Sequence, residues 1–341
     1  MRKCSISEVN SLFEKISAKM PLFLPVEKEE GKAKFDRWEA GLAWSNALNT
    51  NRSPKDLFFP QSEDLMAFKV SGKNIEVIDT RSEVEDFTVF GVRACDAKSL
   101  EVLDRVFLTE PVDSYYASRR EHGIIVTLAC TKPVETCFCS TFGIDASNPG
   151  GDVSMWKTDA ELYFEANTEK GKTFIDLISD LTEECSTDAV EEQKEKISGI
   201  MKRLPLADLT TEDFGGGMTK EYFDRPEWDE LSEACIGCGT CTFVCPTCQC
   251  YDIKDFNTGK GVIRYRCWDS CMYSEFTKMA HGNNRLTQKE RFRQRFMHKL
   301  VYQPMNNGGT FGCVGCGRCL SKCPINMNIV KVMKTLGGDK K

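Results

Sequence analysis

The sequence has few histidines and lacks the common nucleotide-binding motifs. Only three of its 341 residues are histidine, His122, His281 and His298, and none belongs to an H-E-x-x-H motif, so we expect surface or hydrogen-bonding roles for them. No G-x-G-x-x-G follows a strand-like run outside the cysteine loops, which argues against dinucleotide binding. Gly171–Thr173 resembles the end of a P-loop, but Ala166 stands where the first glycine is required.

Long apolar segments and an excess of positive charge are also missing. The longest strongly apolar run, Ile124–Ala129, has the length of a strand and is far too short for a membrane span. No apolar segment follows Met1–Glu8, so we expect no signal peptide and 18 reduced cysteines in a cytoplasmic protein. The net charge of −6 argues against a nucleic-acid partner.

Cysteine is abundant, and eight of the cysteines form two copies of one pattern. The copies are Cys235-x2-Cys238-x2-Cys241-x3-Cys245-Pro246, the first motif, and Cys313-x2-Cys316-x2-Cys319-x3-Cys323-Pro324, the second motif. Each such run supplies three thiolates to one [4Fe–4S] cluster, and its fourth cysteine, before proline, binds the cluster of the other run. The predicted ligand sets are therefore Cys235, Cys238, Cys241 with Cys323, and Cys313, Cys316, Cys319 with Cys245.

Structural zinc is the alternative, because CxxC pairs also form tetrahedral thiolate sites. Zinc requires neither a third cysteine in each run nor the Cys-Pro step, so two complete matches favour iron–sulfur clusters. The glycines within the runs permit the backbone to approach a cluster closely. They are Gly237, Gly239, Gly315 and Gly317.

The length exceeds what two ferredoxin-like clusters need and predicts about two domains. Gly215–Gly217 is typical of a linker. We predict an α/β amino-terminal domain over residues 1–217, followed by a two-cluster ferredoxin-like α+β domain over residues 218–341 with a long insert at 246–312.

Apolar periodicity predicts the elements of the amino-terminal domain. A helix is expected at Ile6–Ile16, and a strand, helix, strand order at Phe87–Gly91, Ala97–Phe107 and Gly123–Ala129. Asp96 is the expected N-cap of the second helix. This order favours a mixed α/β fold.

Four further cysteines are associated with the ends of these strands. Cys95 and Cys130 each lie where a strand ends, and Cys137 and Cys139 follow shortly after. Strand ends in an α/β sheet are a usual place for a site, and four thiolates satisfy one more cluster. Isolated cysteines are also common as small buried apolar residues, so spacing alone leaves both interpretations open.

The predicted insert contains four cysteines that are harder to assign. Cys267 and Cys271 have the i, i+4 spacing that would place both sulfurs on one face of a helix. Ordinary reduced thiols are favoured over a fourth metal site for this group. Its members are Cys248, Cys250, Cys267 and Cys271, whereas Cys4 and Cys185 are expected to be structural or surface residues.

The stretch between the two motifs is basic. A solvated helix face is favoured over a docking surface for an acidic partner, and neutralisation of cluster charge is a third role. Its basic residues include Arg264, Arg266, Arg285, Lys289, Arg291, Arg293, Arg295 and Lys299. Four cations are candidates for raising a cluster potential, because positive charge stabilises the reduced cluster: Arg93, Arg264, Arg318 and Lys322.

Most of the chain resembles the 4Fe-4S dicluster family represented by sulfhydrogenase β subunits and by the corresponding iron–sulfur subunits of anaerobic sulfite reductases. The matching stretches are Ser53–Lys55 with Phe59–Gln61, Gly91–Asp96, Cys137–Cys139, Cys245–Cys248, Trp268–Cys271 and Cys313–Cys319. Trp268–Cys271 together with Met279–Asn284 looks closer to the hydrogenase-type and heterodisulfide-reductase-associated members. Cys267 departs from the family pattern, so no role for it follows from the resemblance.

The resemblance implies an electron-transfer subunit of an anaerobic oxidoreductase complex. Its implied partners in this hetero-oligomer are a flavoprotein linked to NAD(P), which carries the flavin, and a separate catalytic redox subunit of hydrogenase, sulfite reductase or heterodisulfide reductase type. It also implies a third [4Fe–4S] cluster, bound by Cys95, Cys130, Cys137 and Cys139.

Two other functions remain as alternatives. In the first, the chain is itself catalytic and reduces a disulfide or sulfur compound at an extra centre formed by the cysteines of the insert. In the second, the clusters are structural and the basic stretch binds nucleic acid, which the acidic composition disfavours.

Overall fold

A computed structural model describes residues 1–45, 47 and 49–337 of the chain. The strands are β1 Arg2–Ser5, β2 Leu22–Glu27, β3 Ala33–Arg37, β4 Ser62–Ser71, β5 Asn74–Asp79, β6 Phe87–Arg93, β7 Gly123–Leu128, β8 Val153–Lys157, β9 Glu161–Ala166, β10 Glu183–Glu184, β11 Tyr251–Asn257, β12 Gly261–Trp268, β13 Lys278–Met279 and β14 Gly282–Asn283. The helices are α1 Val9–Lys19, α2 Lys55–Phe58, α3 Ala94–Phe107, α4 Ser114–His122, α5 Glu169–Leu177, α6 Asp188–Met201, α7 Thr219–Tyr222, α8 Glu227–Glu233, α9 Thr240–Phe243, α10 Gln288–Met297, α11 Gln303–Asn306, α12 Arg318–Lys322 and α13 Ile329–Leu336.

The amino-terminal part is built on an eight-stranded mixed sheet. Its order is β10-β1-β9-β8-β7-β6-β2-β3, and the neighbours among β2, β6, β7 and β8 are parallel. β6 and β7 are buried along their whole length, as expected for central parallel strands with both faces covered. The predicted mixed α/β character of this part is confirmed.

Helices cover both faces of this sheet. On one face α1 packs Phe13 against Phe90 of β6, with ring centroids 5.2 Å apart. On the other face α3 packs Leu100 and Leu103 against Val89. The helix predicted at Ile6–Ile16 is confirmed, with a 3-10 turn at Ile6–Glu8 before α1.

One detail of the prediction for α3 was wrong. This helix begins at Ala94 with Arg93 at the N-cap, so Asp96 is its third residue rather than its cap. The Asp96 side chain is fully buried and pairs with a distant arginine, Arg318. Local sequence does not reveal that ion pair.

A second, antiparallel sheet has the order β11-β12-β4-β5. β4 and β5 form an antiparallel hairpin, and β11 and β12 come from the predicted insert. β12 pairs with β4 from Gly261↔Lys69 to Cys267↔Ser62. Strands from both sides of the predicted boundary at residue 217 therefore share one sheet.

The carboxy-terminal helices enclose a core of their own. Trp228 of α8, Phe292 and Phe296 of α10, and Val332 and Met333 of α13 are buried together. α10 begins with a capping box between Thr287 and Glu290 and continues into a π-helical turn, His298–Tyr302. Among the described residues no helix is both long and apolar enough to cross a membrane.

Candidate iron–sulfur site

The two cysteine motifs have the same local structure. In each, a loop carrying the first cysteines leads into a short helix, α9 in the first motif and α12 in the second. Gly239 and Gly317 precede these helices with φ of 72° and 75°, a conformation that residues with a Cβ rarely adopt. A Cβ at Gly317 would also lie 2.4 Å from the carbonyl oxygen of Thr136. Glycine is therefore required where each loop turns its cysteines inward.

The second motif brings its predicted ligands together. Cys313, Cys316 and Cys319 lie close enough to Cys245 for their thiols to interact electrostatically with it. Cys245 comes from the first motif, as the crossed pattern of ligands requires.

The first motif lies beside it. Cys241 is close to Cys235 of its own set and also to Cys319 of the neighbouring set. Cys238 is exposed and donates to the Thr240 hydroxyl at 3.4 Å. The Cys323 sulfur accepts the Met327 N–H at 3.2 Å.

The four amino-terminal cysteines also converge. Cys95 follows β6 and Cys130 follows β7, and the carboxyl ends of these parallel neighbours meet at one edge of the sheet. Cys139 is close to Cys130 and Cys137, and Cys95 is close to Cys139. Cys95 is also close to Cys316 of the second motif, so this group lies next to the carboxy-terminal sites.

Burial makes most of these thiols reluctant to ionise. It raises the pKa of Cys139, Cys241 and Cys316 to about 12 in each case. A buried thiol of this kind becomes a thiolate when a metal supplies the compensating charge.

Buried cations around the cysteines have N–H donors without a hydrogen-bond acceptor. Arg93 donates from Nη1 to the Cys130 sulfur at 2.9 Å, while its Nε and Nη2 are buried without a hydrogen-bond partner. Arg295, which lies near Cys241 and Cys319, also has a buried Nε without a hydrogen-bond partner. Buried N–H groups without acceptors are costly, and the sulfides of a cluster would accept from them. The residues therefore fit bound iron–sulfur clusters.

The ligands of a single metal ion and those of a cluster differ in their grouping. Within the described ranges, no three or more His, Cys, Asp or Glu side chains are grouped closely enough to bind one metal ion. The ligands of a zinc ion all bind the same atom, whereas the thiolates of a cubane cluster bind different iron atoms and stand farther apart.

Three of the four cysteines in the insert gather beside Cys245. Cys248 lies next to Cys245, and Cys271 lies next to Cys250. Cys267 lies apart on β12, opposite Asp252 and Ser62, and lines a surface groove. The helical arrangement of Cys267 and Cys271 was therefore a wrong expectation, because Cys267 ends a strand and a turn separates the two.

Part of the basic stretch is buried rather than solvated. Arg266, Arg295 and Lys299 are 3%, 3% and 5% exposed, which corrects the expectation of a simple solvated face for them. Lys299 donates to the Cys245 sulfur at 3.3 Å. Arg264, in contrast, is exposed and pairs with Asp255.

One structural cation, Lys55, escaped the sequence interpretation. Lys55 is buried, donates to the carbonyl oxygens of Cys245 at 3.1 Å and Cys248 at 2.9 Å, and lies 3.6 Å from the centroid of the Trp268 ring. Burial lowers its pKa to about 8. Lys55 was part of a stretch that matched the family, which is the one signal that could have identified it.

Arg318 was one of the candidates for raising a cluster potential, and the sequence did not predict its partner. It donates to both carboxylate oxygens of Asp96, at 2.5 and 2.7 Å, and to the Thr50 carbonyl oxygen at 2.9 Å. Asp96 follows Cys95 and Arg318 precedes Cys319, so this buried ion pair joins two of the cysteine sets. Lys322, the remaining candidate, is exposed.

Comparisons with known proteins identify the family of the chain. Residues 234–327 match the 4Fe-4S dicluster domain family. The chain is 34% identical over 286 residues to sulfhydrogenase 2 subunit beta of Pyrococcus furiosus, an alignment that covers 82% of this chain and 81% of that protein. No solved structure matches the chain. The suspected resemblance is confirmed: the chain belongs to the family of sulfhydrogenase β subunits, iron–sulfur proteins of oxidoreductases.

Proposed function

We propose that this chain is an electron-transfer subunit that binds three [4Fe–4S] clusters in series. Each bound cluster would take up and release one electron, and the chain supplies thiolates, buried cations and exclusion of water. The ligand sets are Cys95, Cys130, Cys137 and Cys139; Cys313, Cys316, Cys319 and Cys245; and Cys235, Cys238, Cys241 and Cys323.

The proximity of Cys95 to Cys316 is the observation that carries the proposal. It supports electron transfer between the cluster of the amino-terminal set and the cluster of the second motif. The proximity of Cys241 to Cys319 supports the next connection, from the second motif to the first. Cysteines that served packing alone would have no reason to form a continuous series from one sheet edge to the surface.

The name of the relative, subunit beta of a sulfhydrogenase, supports a role within a hetero-oligomer. We infer a cytoplasmic complex in which one partner is a flavoprotein linked to NAD(P), with the flavin bound there. The other partner is a catalytic redox subunit of hydrogenase, sulfite reductase or heterodisulfide reductase type. In this arrangement no substrate bond is broken on the chain itself.

The catalytic alternative rests on the cysteines of the insert. It would need Cys248, Cys250, Cys267 and Cys271 to act at one extra centre. The charged groups that act on the Cys267 thiol are Lys254, Asp252 and Asp269 rather than the other three cysteines, which weighs against such a centre, and the closeness of Cys248 to Cys245 favours an auxiliary role beside a cluster ligand.

Iron content tests the proposal directly. The chain is purified anaerobically with its co-purifying subunits, and iron, acid-labile sulfide and the EPR spectrum of the reduced protein are measured. About twelve irons per chain are expected, and about eight in Cys139→Ala, because three four-iron clusters become two. Cys185→Ala, a half-buried cysteine outside the three sets, is the matched control and should retain about twelve. About eight irons in the wild type would remove the amino-terminal cluster from the proposal, and about sixteen would favour the catalytic alternative.

A further inference from the structure

The two motifs repeat the same residue pattern but differ sharply in exposure. Ile236 and Val314 occupy equivalent positions between the first two cysteines, and they are 67% and 2% exposed. The next cysteine is exposed in the first motif, Cys238, and half-buried in the second, Cys316. Since the local backbone is the same, the difference arises from what packs on each loop.

The loop of the second motif is covered by residues 136–139 of the amino-terminal part. The Phe138 N–H donates to the Gly315 carbonyl oxygen at 2.8 Å. A Cβ at Gly315 would lie 2.3 Å from the Phe138 carbonyl oxygen, so the two backbones are in direct contact. The covering segment carries Cys137 and Cys139, ligands of the proposed amino-terminal cluster. The second motif is therefore covered by a loop that holds another redox centre.

The loop of the first motif meets side chains rather than backbone. The nearest atoms to a Cβ at Gly237 belong to the amide end of Gln288, and those nearest to a Cβ at Gly239 belong to the Tyr273 ring. Tyr273 is itself 38% exposed. A groove of about 670 Å³ opens beside the loop, lined by Gly237, Trp268, Met272, Tyr273 and Arg291.

We propose that this exposed loop, Ile236–Gly239 with Tyr273 and the adjoining groove, is the docking surface for a redox protein that carries its own electron-transfer centre behind its contact segment. The inference rests on the proposed function, since it names where the relay meets a partner. The repeat identifies the kind of occupant: the equivalent loop of the second motif is covered by a segment holding redox ligands.

The composition of the surface fits a protein partner. An apolar and aromatic centre, Ile236 and Tyr273, is surrounded by polar groups, as in protein interfaces. The groove carries both signs of charge, with Asp252, Lys254 and Arg291. Net charge therefore selects the partner less than shape and apolar contact do, and the affinity should depend only weakly on salt.

The test compares Ile236→Lys with Ile75→Lys. Ile75 is the matched control, because it has the same side chain, is 66% exposed and lies on β5 of the second sheet. Each variant is loaded with iron and mixed anaerobically with the separated subunits that co-purify with the wild type. The dissociation constant and the rate of electron exchange are measured for each subunit that contains a redox cofactor, with the EPR spectrum as a check on the clusters.

We expect Ile236→Lys to weaken the binding of one such subunit about 30-fold, the effect of losing a central contact residue, and to leave the EPR spectrum unchanged. Ile75→Lys should behave as the wild type. If Ile236→Lys binds every redox partner with wild-type affinity, the docking surface is overturned and the relay still stands. Loss of a partner without a redox cofactor, or loss only of self-association, would overturn it as well. If the wild-type clusters never change oxidation state in the complex, the proposed electron-transfer function is refuted. The measured dissociation constants still test the docking surface in that case.

Discussion

Lys299 is a buried cation in contact with a predicted cluster ligand, and its removal should change one cluster potential. Its ammonium donates to the Cys245 sulfur at 3.3 Å, the Thr247 hydroxyl at 2.9 Å and the Gly312 carbonyl oxygen at 2.8 Å. Burial opposes its charge, but the neighbouring Cys245 and Cys248 outweigh burial and raise the pKa of Lys299, so the side chain stays protonated. Positive charge stabilises the reduced, more negative cluster, so Lys299→Met should lower the midpoint potential.

The size of the shift follows from Coulomb's law. With an effective dielectric constant of about 20 and roughly 6 Å between the ammonium and the centre of the added charge, the interaction is about 2.8 kcal/mol. A tenfold change in a one-electron equilibrium is about 59 mV, or about 1.4 kcal/mol, so the potential should fall by about 120 mV. The change should be largest for the cluster that Cys245 binds, because the interaction weakens with distance.

An EPR-monitored redox titration of the anaerobically purified complex measures this shift. Lys289→Met is the matched control, because Lys289 lies on α10 at the surface and pairs with Asp229. It should leave all potentials unchanged. A shift in Lys299→Met below a quarter of the expected value, or an equal shift in every cluster, would refute the assignment of Lys299 to the Cys245 ligand.

Three further predictions concern stability and ligand identity. Asp96→Ala leaves the Arg318 charge buried and unpaired, and should lower the free energy of unfolding by about 3–5 kcal/mol in anaerobic denaturant titrations; the exposed control Asp79→Ala should change it little, and equal losses would contradict the role of burial. Cys267→Ala should retain the full iron content and EPR spectrum, and loss of iron would identify Cys267 as a cluster ligand. Burial lowers the pKa of His298 to about 4, below the value of about 6.5 in an unfolded chain, so the unfolded state binds the proton first and stability falls as pH decreases from about 6.5 to 4. His298→Gln should lose part of this slope in denaturant midpoints at pH 7 and 5, and identical slopes would contradict the assignment.

Much of the local structure was predictable because its causes are local. The strand, helix, strand order around β6, α3 and β7 followed from apolar periodicity, since burial of alternating or helical faces is encoded within a few residues. The start of α3 was predicted wrongly, because Asp96 has the character of a cap in sequence but pairs with Arg318, 222 residues away. An N-cap side chain stabilises a helix by about 1 kcal/mol, which is less than the free-energy cost of leaving a buried charge unpaired.

The pattern of the basic stretch shows the same limit. The eight cations named in this stretch have no periodicity that separates Arg295 and Lys299, which are buried beside cysteines, from Lys289, whose side chain is 40% exposed. The distinction depends on which face of α10 and its π-helical continuation meets the core, and that is decided by the packing of Phe292 and Phe296 against other helices.

By itself, the sequence determined the spacing of the cysteines: the runs from Cys235 to Cys245 and from Cys313 to Cys323 predict crossed ligand sets, and ligands a few residues apart on a tight loop are held together by covalent geometry. Only the tertiary structure decided how those sets are arranged, which cations lie between them and which loop stays exposed. Ile236 and Val314 are nearly interchangeable in sequence, yet one is at the surface and the other is covered by residues 136–139. Exposure is a property of what packs on a loop, and that packing comes from residues more than 170 positions away.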